Sequence, residues 1–204
     1  MWEDMEIETL KRGKFTKKLT TYFEETASIT PQWLTLTKGS ASRNTQRDAL
    51  FLADNVEREA TLKSVVFNPM NFDLVKITAF NLSSNGSIMH HLLQLTDGVT
   101  SIGLDSLNFS ETDIVNGTSV SPVWYPYCNY FYYATKSHMS LLILPKEGQI
   151  YILASGKVIF SKALINKDAL NTDMYFKIGI LDTGHVDPAT PQMEIGGIEI
   201  EFQS

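Results

Sequence analysis

Cysteine is almost absent from this sequence of 204 residues, in which Cys128 stands alone. A single cysteine cannot form an intrachain disulfide, so the chain is not one of the small secreted scaffolds that disulfides hold together. Because Cys128 lies among aromatic residues, we expect a buried and inert thiol rather than a nucleophile.

Long apolar runs are also absent. No segment reaches the length that a membrane-spanning helix requires. Residues 1–15 begin with acidic side chains and contain no apolar stretch typical of a secretory signal. We therefore expect a soluble protein made in a reducing cytoplasm, with no signal peptide, no transmembrane segment and no membrane insertion.

Positive charge is in deficit, because 17 lysines and arginines stand against 23 aspartates and glutamates, for a net charge of −6. Nucleic-acid binding depends on a broad basic surface, so this balance argues against nucleic acid as a partner. With 43% hydrophobic and 20% charged residues, the chain can nevertheless bury a substantial core. Global disorder is therefore not expected.

Metal-ligating patterns are weak. His90 and His91 are adjacent, so on a strand they point to opposite faces and cannot bind one ion together. Residues 182–187, DTGHVD, contain three possible ligands, but a glycine-containing surface loop uses the same residues to turn. The three aspartates between residues 97 and 113 match no calcium-loop spacing. We predict no metal and no cofactor.

The most informative stretch that is present is residues 139–160, MSLLILPKEGQIYILASGKVIF. Its three short apolar segments are separated by residues 145–148, PKEG, and by Ser155-Gly156, both typical of tight turns. The pattern predicts three antiparallel strands in a meander. A meander this apolar requires a second layer to cover it.

Alternating segments elsewhere indicate the same kind of fold. In residues 72–82, Val75, Ile77 and Ala79 share one face of a predicted strand. Residues 83–86, SSNG, predict a hairpin that follows it. Many short strands with turn signals between them, and no long amphipathic helix, indicate an all-β fold, a two-sheet antiparallel sandwich.

Residues 1–25 differ in composition from the remainder, because an acidic block is followed by a basic block. A short helix, an edge strand and an extended arm stay open as conformations. We predict a short N-terminal arm at residues 1–25, followed by one domain at residues 26–204. The arm is either a solvated lead-in or a segment that docks onto a larger assembly.

Several segments resemble the concanavalin-A-like lectin/glucanase superfamily, the jelly roll shared with laminin-G-type domains. They are LLQLTDGVTSIGL at residues 92–104, the strand–turn–strand–hairpin order of residues 141–160, and the late strands at residues 175–181 and 195–202. The resemblance covers residues 20–204 at the level of strand order. It implies a two-sheet antiparallel jelly-roll sandwich.

Together with the lone cysteine and the arm, this pattern also resembles a bacteriophage virion appendage, such as a head or tail fibre component. That resemblance implies a location in the virion after synthesis in the host cytoplasm. It also implies other virion proteins as partners through the N-terminal arm, and a symmetric homo-oligomer.

Glycanases of this superfamily carry Glu-x-Asp-x-x-Glu on one strand, which directs the carboxylates into one cleft. The sequence contains no such motif. Its nearest equivalent is the pair Glu199 and Glu201, which share a face and which we predict to lie at a solvated edge. We therefore predict no catalytic residues and a domain that is not an enzyme.

Residues 124–133, WYPYCNYFYY, hold seven aromatic rings in ten positions. Aromatic rings stack on the apolar faces of sugars. The candidate ligand-binding residues are therefore Trp124, Tyr125, Tyr127 and Tyr130. Two other interpretations stay open, since aromatic residues also fill cores and buried subunit interfaces.

These observations lead to one main hypothesis and two alternatives. The main hypothesis is a non-enzymatic virion module that presents loops to a cell-surface carbohydrate or to another virion protein. The first alternative is a glycan hydrolase or lyase on the same fold with a displaced active site. The second is a purely structural capsid or tail component without a ligand.

Overall fold

The computed structural model describes residues 5–6, 16–23, 31–44, 49–53, 59–85, 89–105, 108–111, 123–124, 137–164, 166–182 and 192–204. These residues contain seventeen β-strands, two short 3-10 helices (Pro69–Asn71 and Lys167–Leu170) and no α-helix. The all-β prediction is confirmed. None of the helices in these ranges is long and apolar enough to cross a membrane.

In chain order the strands are β1 (Met5–Glu6), β2 (Thr16–Tyr22), β3 (Leu34–Lys38), β4 (Ser40–Asn44), β5 (Ala49–Ala53), β6 (Glu59–Ser64), β7 (Leu74–Asn85), β8 (Met89–Thr96), β9 (Ser101–Asp105), β10 (Asn108–Glu111), β11 (Val123–Trp124), β12 (Ser137–Leu144), β13 (Gln149–Ala154), β14 (Lys157–Ala163), β15 (Tyr175–Asp182), β16 (Gln192–Ile195) and β17 (Gly197–Gln203).

The strands form two antiparallel sheets. The ten-stranded sheet has the order β1-β2-β17-β7-β12-β13-β14, with β16 pairing β5 and β7, and β4 pairing β5. The seven-stranded sheet has the order β11-β10-β9-β8-β15-β6-β3. This arrangement confirms the predicted two-sheet antiparallel jelly-roll sandwich.

The core lies between the two sheets, and it follows from the alternation of apolar residues. Val75, Ile77 and Ala79 on β7 are each 0% exposed, as predicted for one face of that strand. Ile178 and Ile180 on β15 are buried to the same extent in the facing sheet. One continuous cluster of apolar side chains joins the two layers.

The predicted meander is formed by β12, β13 and β14. Leu141 pairs with Ile152, which pairs in turn with Phe160. The second turn has φ of +47° at Ser155 and +80° at Gly156. Two positive φ angles define the kind of two-residue turn whose twist suits a hairpin, which explains why glycine stands there.

The predicted hairpin at residues 83–86 does not form. β7 ends at Asn85 in the ten-stranded sheet, whereas β8 begins at Met89 in the other sheet. The chain therefore crosses between layers at this point. Turn chemistry allows a change of direction, but long-range pairing decides which strand comes next to which.

The prediction that Glu199 and Glu201 lie at a solvated edge is wrong. β17 is the last strand of the sequence, but it lies inside the sheet between β2 and β7. Both carboxylates are paired with lysines of those neighbours, Glu199 with Lys18 at 3.8 Å and Glu201 with Lys76 at 3.9 Å.

Part of the N-terminal segment belongs to the sandwich. β2 pairs with β17 from Thr16 to Tyr22, and Leu19 is 1% exposed in the core. β1 pairs with β2 through two residues. The domain boundary after residue 25 and the docking role of residues 1–25 stay predictions.

Candidate functional site

The seven-stranded sheet carries polar side chains on the face turned away from the core. On β6, β8 and β15 apolar residues at every second position point inward, so the residues between them point outward. We call this set the polar face, and it comprises Glu59, Thr61, Lys63, Gln94, Thr96, Tyr175 and Lys177.

The strand register brings these residues together although they are distant in sequence. Lys177 lies directly opposite Lys63 on one side and Gln94 on the other. Tyr175 lies opposite Thr96 in the next row. Directly opposed positions share a face and lie close enough for their side chains to interact.

Much of the polar face is sheltered from solvent, although it lies outside the core. Thr61 is 1% exposed, Thr96 2%, Gln94 6% and Glu59 8%. Buried polar groups require hydrogen-bond partners, and Thr61 Oγ1 has one in Thr37 Oγ1 at 2.9 Å. The floor of the face is thus a sheltered polar surface with built-in hydrogen bonds.

Glu59 is the charged centre of this floor. Its Oε1 lies 2.5 Å from Lys177 Nζ, and its Oε2 lies 2.9 Å from Lys38 Nζ. Burial by itself raises the pKa of Glu59, but hydrogen bonds and attraction from Lys177 and Lys38 outweigh it, so its pKa lies below the ordinary value. Glu59 is therefore ionised near neutral pH and accepts hydrogen bonds rather than donating a proton.

Lys63 and Tyr175 form a second contact on the face. The ammonium nitrogen of Lys63 lies 4.0 Å from the centre of the Tyr175 ring. A cation over an aromatic face is attracted by the ring's quadrupole. This contact holds Lys63 beside the ring of Tyr175. Tyr175 lies two positions before Lys177 on β15, and Lys177 is the residue that pairs with Glu59.

The turn between β8 and β9 closes one end of the face. Asp97 Oδ1 accepts hydrogen bonds from the backbone N–H groups of Val99 at 2.8 Å and Thr100 at 2.6 Å. A Cβ atom on Gly98 would lie 3.7 Å from the Tyr175 hydroxyl, so the turn stands beside that ring. Asp97 thus shapes a turn.

Of the four candidate ligand-binding residues, only Trp124 lies within the described residues. Its backbone pairs with Asn108. From there a row of directly paired positions crosses the sheet through Asp105, Leu92, Gly179 and Thr61. The position of Trp124 is thus in register with the polar face. Tyr125, Tyr127, Tyr130 and Cys128 lie outside the described residues.

Within the described ranges no group of three or more His, Cys, Asp or Glu side chains is arranged to hold a metal ion. His90 and His91 are neighbours on β8, where they pair with Leu181 and Ile180. Residues 183–191, which contain the remainder of the DTGHVD string, lie outside the described residues.

The residues of the polar face were not predicted as a site from the sequence. A signal exists in EATLKS, HLLQLT and YFKIGIL, where polar residues occupy every second position of three apolar strands. Taken alone, each segment is typical of a strand with one face exposed to solvent. Nothing in the sequence shows that β6 and β8 both pair with β15, and this pairing is what assembles the face.

Solved structures with a similar fold include proteins of several activities. The laminarinase catalytic domain of Thermotoga maritima has a TM-score of 0.59 at 10% identity, covering 98% of this chain and 99% of that chain. Alginate lyase AlgAT5 has a TM-score of 0.53 at 13% identity, covering 82% and 85%.

Botulinum neurotoxin type C, whose cell entry depends on two ganglioside molecules, has a TM-score of 0.58 at 12% identity. That match covers 98% of this chain but only 48% of the toxin chain, so this chain spans about half its length. No protein-family model and no curated protein sequence matches the chain. At these identities the likeness shows the fold alone, a concanavalin-like jelly-roll sandwich.

The prediction that the domain is not an enzyme is corrected by this comparison. The similar structures are mostly enzymes, among them the laminarinase, the endo-β-1,3(4)-glucanase SCLam, the Crh5 transglycosylase and the alginate lyase. The prediction rested on one absent motif, Glu-x-Asp-x-x-Glu. A fold that hosts several chemistries is not restricted to one motif, so that absence does not exclude catalysis.

Proposed function

We propose that the chain is a glycan-active domain that holds a polysaccharide across the polar face and cleaves it, as a hydrolase or a lyase. The observation that carries this proposal is the polar face itself. It is a sheltered array of hydroxyl, amide, ammonium and carboxylate groups, spread over three neighbouring strands of one sheet.

The chemistry of the polar face fits a carbohydrate. Sugars present many hydroxyl groups, which need both donors and acceptors in fixed positions. Tyr175 supplies a hydroxyl, Lys63 and Lys177 supply ammonium donors, and the ionised Glu59 supplies a strong acceptor. The turn at Asp97 and the ring of Tyr175 limit the site at one end.

The four candidate aromatic residues of the sequence stay proposed ligand contacts. Trp124 lies on β11, the strand at the far edge of the sheet, in the row that leads to Thr61. As predicted from the sequence, we propose that Trp124 contacts a sugar. Tyr125, Tyr127 and Tyr130 stay predicted ligand contacts next to it in sequence.

The finer predictions about the virion stay predictions. They are attachment to other virion proteins through residues 1–25, self-association and a bacteriophage origin. The similar structures support a carbohydrate or receptor partner in general terms, because they include ganglioside-dependent and synaptotagmin-bound toxin domains.

A panel of neutral and acidic polysaccharides tests the proposed function with the full chain. Affinity electrophoresis measures binding, and assays for new reducing ends and for unsaturated products measure hydrolysis and elimination. Tyr175→Ala should weaken binding about fivefold to tenfold, because it removes a hydroxyl and releases Lys63.

Tyr151→Ala is the matched control, because Tyr151 is a half-buried tyrosine on the outer face of the ten-stranded sheet. We expect it to bind like the wild type. A wild-type chain that neither binds nor cleaves any polysaccharide contradicts the proposal, as does a Tyr151→Ala variant that is impaired as much as Tyr175→Ala.

A further inference from the structure

We infer that the glycan taken by the polar face is acidic, with carboxylate or sulfate groups that bind at Lys63 and Lys177. This inference rests on the proposed function and adds the class of ligand. It follows from the distribution of charge between the two outer faces of the sandwich and from the contact geometry of these two lysines.

The polar face carries an excess of positive charge at Lys63 and Lys177, although the protein as a whole is acidic. The chain as a whole has a net charge of −6. Yet the ammonium-bearing residues Lys63 and Lys177 are directly opposite each other, and among the described residues the one carboxylate in contact with either of them is that of Glu59, on Lys177. Clefts lined by one sign of charge concentrate ligands of the opposite sign.

The outer face of the ten-stranded sheet shows the contrast. There Lys18 pairs with Glu199 and Lys76 pairs with Glu201, so lysines and glutamates alternate across neighbouring strands. Such pairing is the usual way in which a sheet surface balances its charge. The uncompensated charge of Lys63 is thus not repeated at Lys18 and Lys76 on this outer face.

The surplus of positive charge is located at Lys63 and Lys177. These residues are directly opposite each other on β6 and β15. Like charges at directly opposed positions destabilise a sheet. Lys177 is compensated by Glu59, but Lys63 contacts the ring of Tyr175, and no carboxylate contacts it among the described residues. An anionic group bound between the two ammonium groups relieves this repulsion.

The ionised state of Glu59 adds selectivity to the site. Its carboxylate holds Lys38 and Lys177 at one side of the face, so a bound anion is directed towards Lys63. Charge-assisted hydrogen bonds from ammonium to carboxylate or sulfate oxygens are stronger than those between neutral groups. A neutral glycan gains nothing comparable from Lys63.

Two matched pairs of polymers test the inference with the full chain. Polygalacturonate is compared with its carboxyl-reduced form, and dextran sulfate is compared with dextran. Affinity electrophoresis and calorimetry give the dissociation constants at low and high salt. We expect one acidic polymer to bind at least about tenfold more tightly than its neutral counterpart, and salt to reduce the difference.

Lys63→Gln should weaken binding of the acidic polymer roughly tenfold or more and reduce its salt dependence. Lys157→Gln is the control, because it removes the same charge from an exposed position in the other sheet. Glu59→Gln should act in the opposite direction and tighten binding of the acidic polymer, since it removes the carboxylate that compensates Lys177. Melting curves confirm that each variant is folded.

The outcomes separate this inference from the proposed function. Equal binding of acidic and neutral polymers, with no effect of Lys63→Gln, overturns the inference and leaves a glycan-active domain. A chain that retains no polysaccharide at all overturns both. If Lys63→Gln does not fold, two other results test the inference. Wild-type binding of the acidic polymer that does not weaken with salt overturns it, and so does a Glu59→Gln variant that does not bind the acidic polymer more tightly.

Discussion

At the scale of single residues, Glu59 sets the electrostatics of the polar face. A buried carboxylate is costly unless charged partners compensate it, and here Lys38 and Lys177 do so from two different strands, β3 and β15. Removing either lysine leaves the carboxylate with one charged partner. The same ion cluster therefore contributes to stability and, in the proposed site, to the selection of the ligand.

The low pKa of Glu59 predicts a specific dependence of stability on pH. The folded pKa lies below the ordinary value of 4.5. The ion cluster therefore stabilises the fold fully above that value, and its contribution is lost as pH falls through the folded pKa. We expect Glu59→Gln to show a smaller fall in the free energy of unfolding than the wild type between about pH 5 and about pH 3.

Urea denaturation followed by circular dichroism measures this fall in stability. Glu147→Gln, in an exposed turn between β12 and β13, is the control and should follow the wild-type curve. If the free energy of unfolding falls equally with pH in Glu59→Gln and in the wild type, the ion cluster is not coupled to folding.

The sequence indicated little about Glu59, because its charge is visible but its neighbours are not. Lys38 and Lys177 are distant in the chain and come from different strands. Trp124, in contrast, was predicted as a candidate from composition alone, and the register places its strand on the same sheet as the face.

At the scale of elements, β15 is the strand on which the polar face depends. It lies between β6 and β8 and contributes Tyr175 and Lys177 outward while Ile178 packs inward. Gly179, which follows Ile178 on β15, has no side chain. A Cβ atom there would collide with the carbonyl oxygen of Ala60 and would lie 2.8 Å from Thr61 Cα. The glycine thus allows β15 and β6 to approach closely.

Gly179→Ala should therefore destabilise the protein by about 3 kcal/mol or more, because the obstruction is backbone that cannot move aside cheaply. Gly156→Ala is the matched control. Gly156 has φ of +80° but nothing within 4 Å of an added Cβ, so only the backbone strain of about 1 kcal/mol applies. Chemical denaturation compares the two variants, and equal losses of stability would contradict the close-approach argument.

Element types were predictable from the sequence where alternation and turn chemistry agree. The meander of β12 to β14 formed as predicted, because local turns and apolar strands suffice to define neighbours. The hairpin at residues 83–86 did not form, because its two strands pair more extensively with partners far away in the chain.

At the scale of the whole molecule, the two ends of the described chain meet inside one sheet. β17, at the C-terminal end, pairs with β2 on one side and with β7 on the other. Leu19 and Phe23 are 1% and 2% exposed, so this N-terminal segment fills part of the core. An arm that only docks onto a partner would not contribute to that core.

Two deletions test the role of the N-terminal segment. A chain that lacks residues 1–25 should lose about 3–6 kcal/mol from the burial of Leu19 and Phe23, which approaches the whole stability of many domains. A chain that lacks only residues 1–15 keeps β2 and should melt close to the full-length protein. Thermal denaturation and gel filtration measure both, and full stability of residues 26–204 would support a domain boundary after residue 25.

The sequence by itself determined the class of fold, since period-two alternation and closely spaced turns are local properties that only antiparallel sheets satisfy. It also determined the sign of the overall charge and excluded a disulfide within these 204 residues. Only the tertiary structure decided that β17 lies inside a sheet and that β6, β8 and β15 are neighbours. The reason is physical: strand pairing joins residues far apart in the chain through backbone hydrogen bonds that every residue type can make. The polar face arises from that pairing.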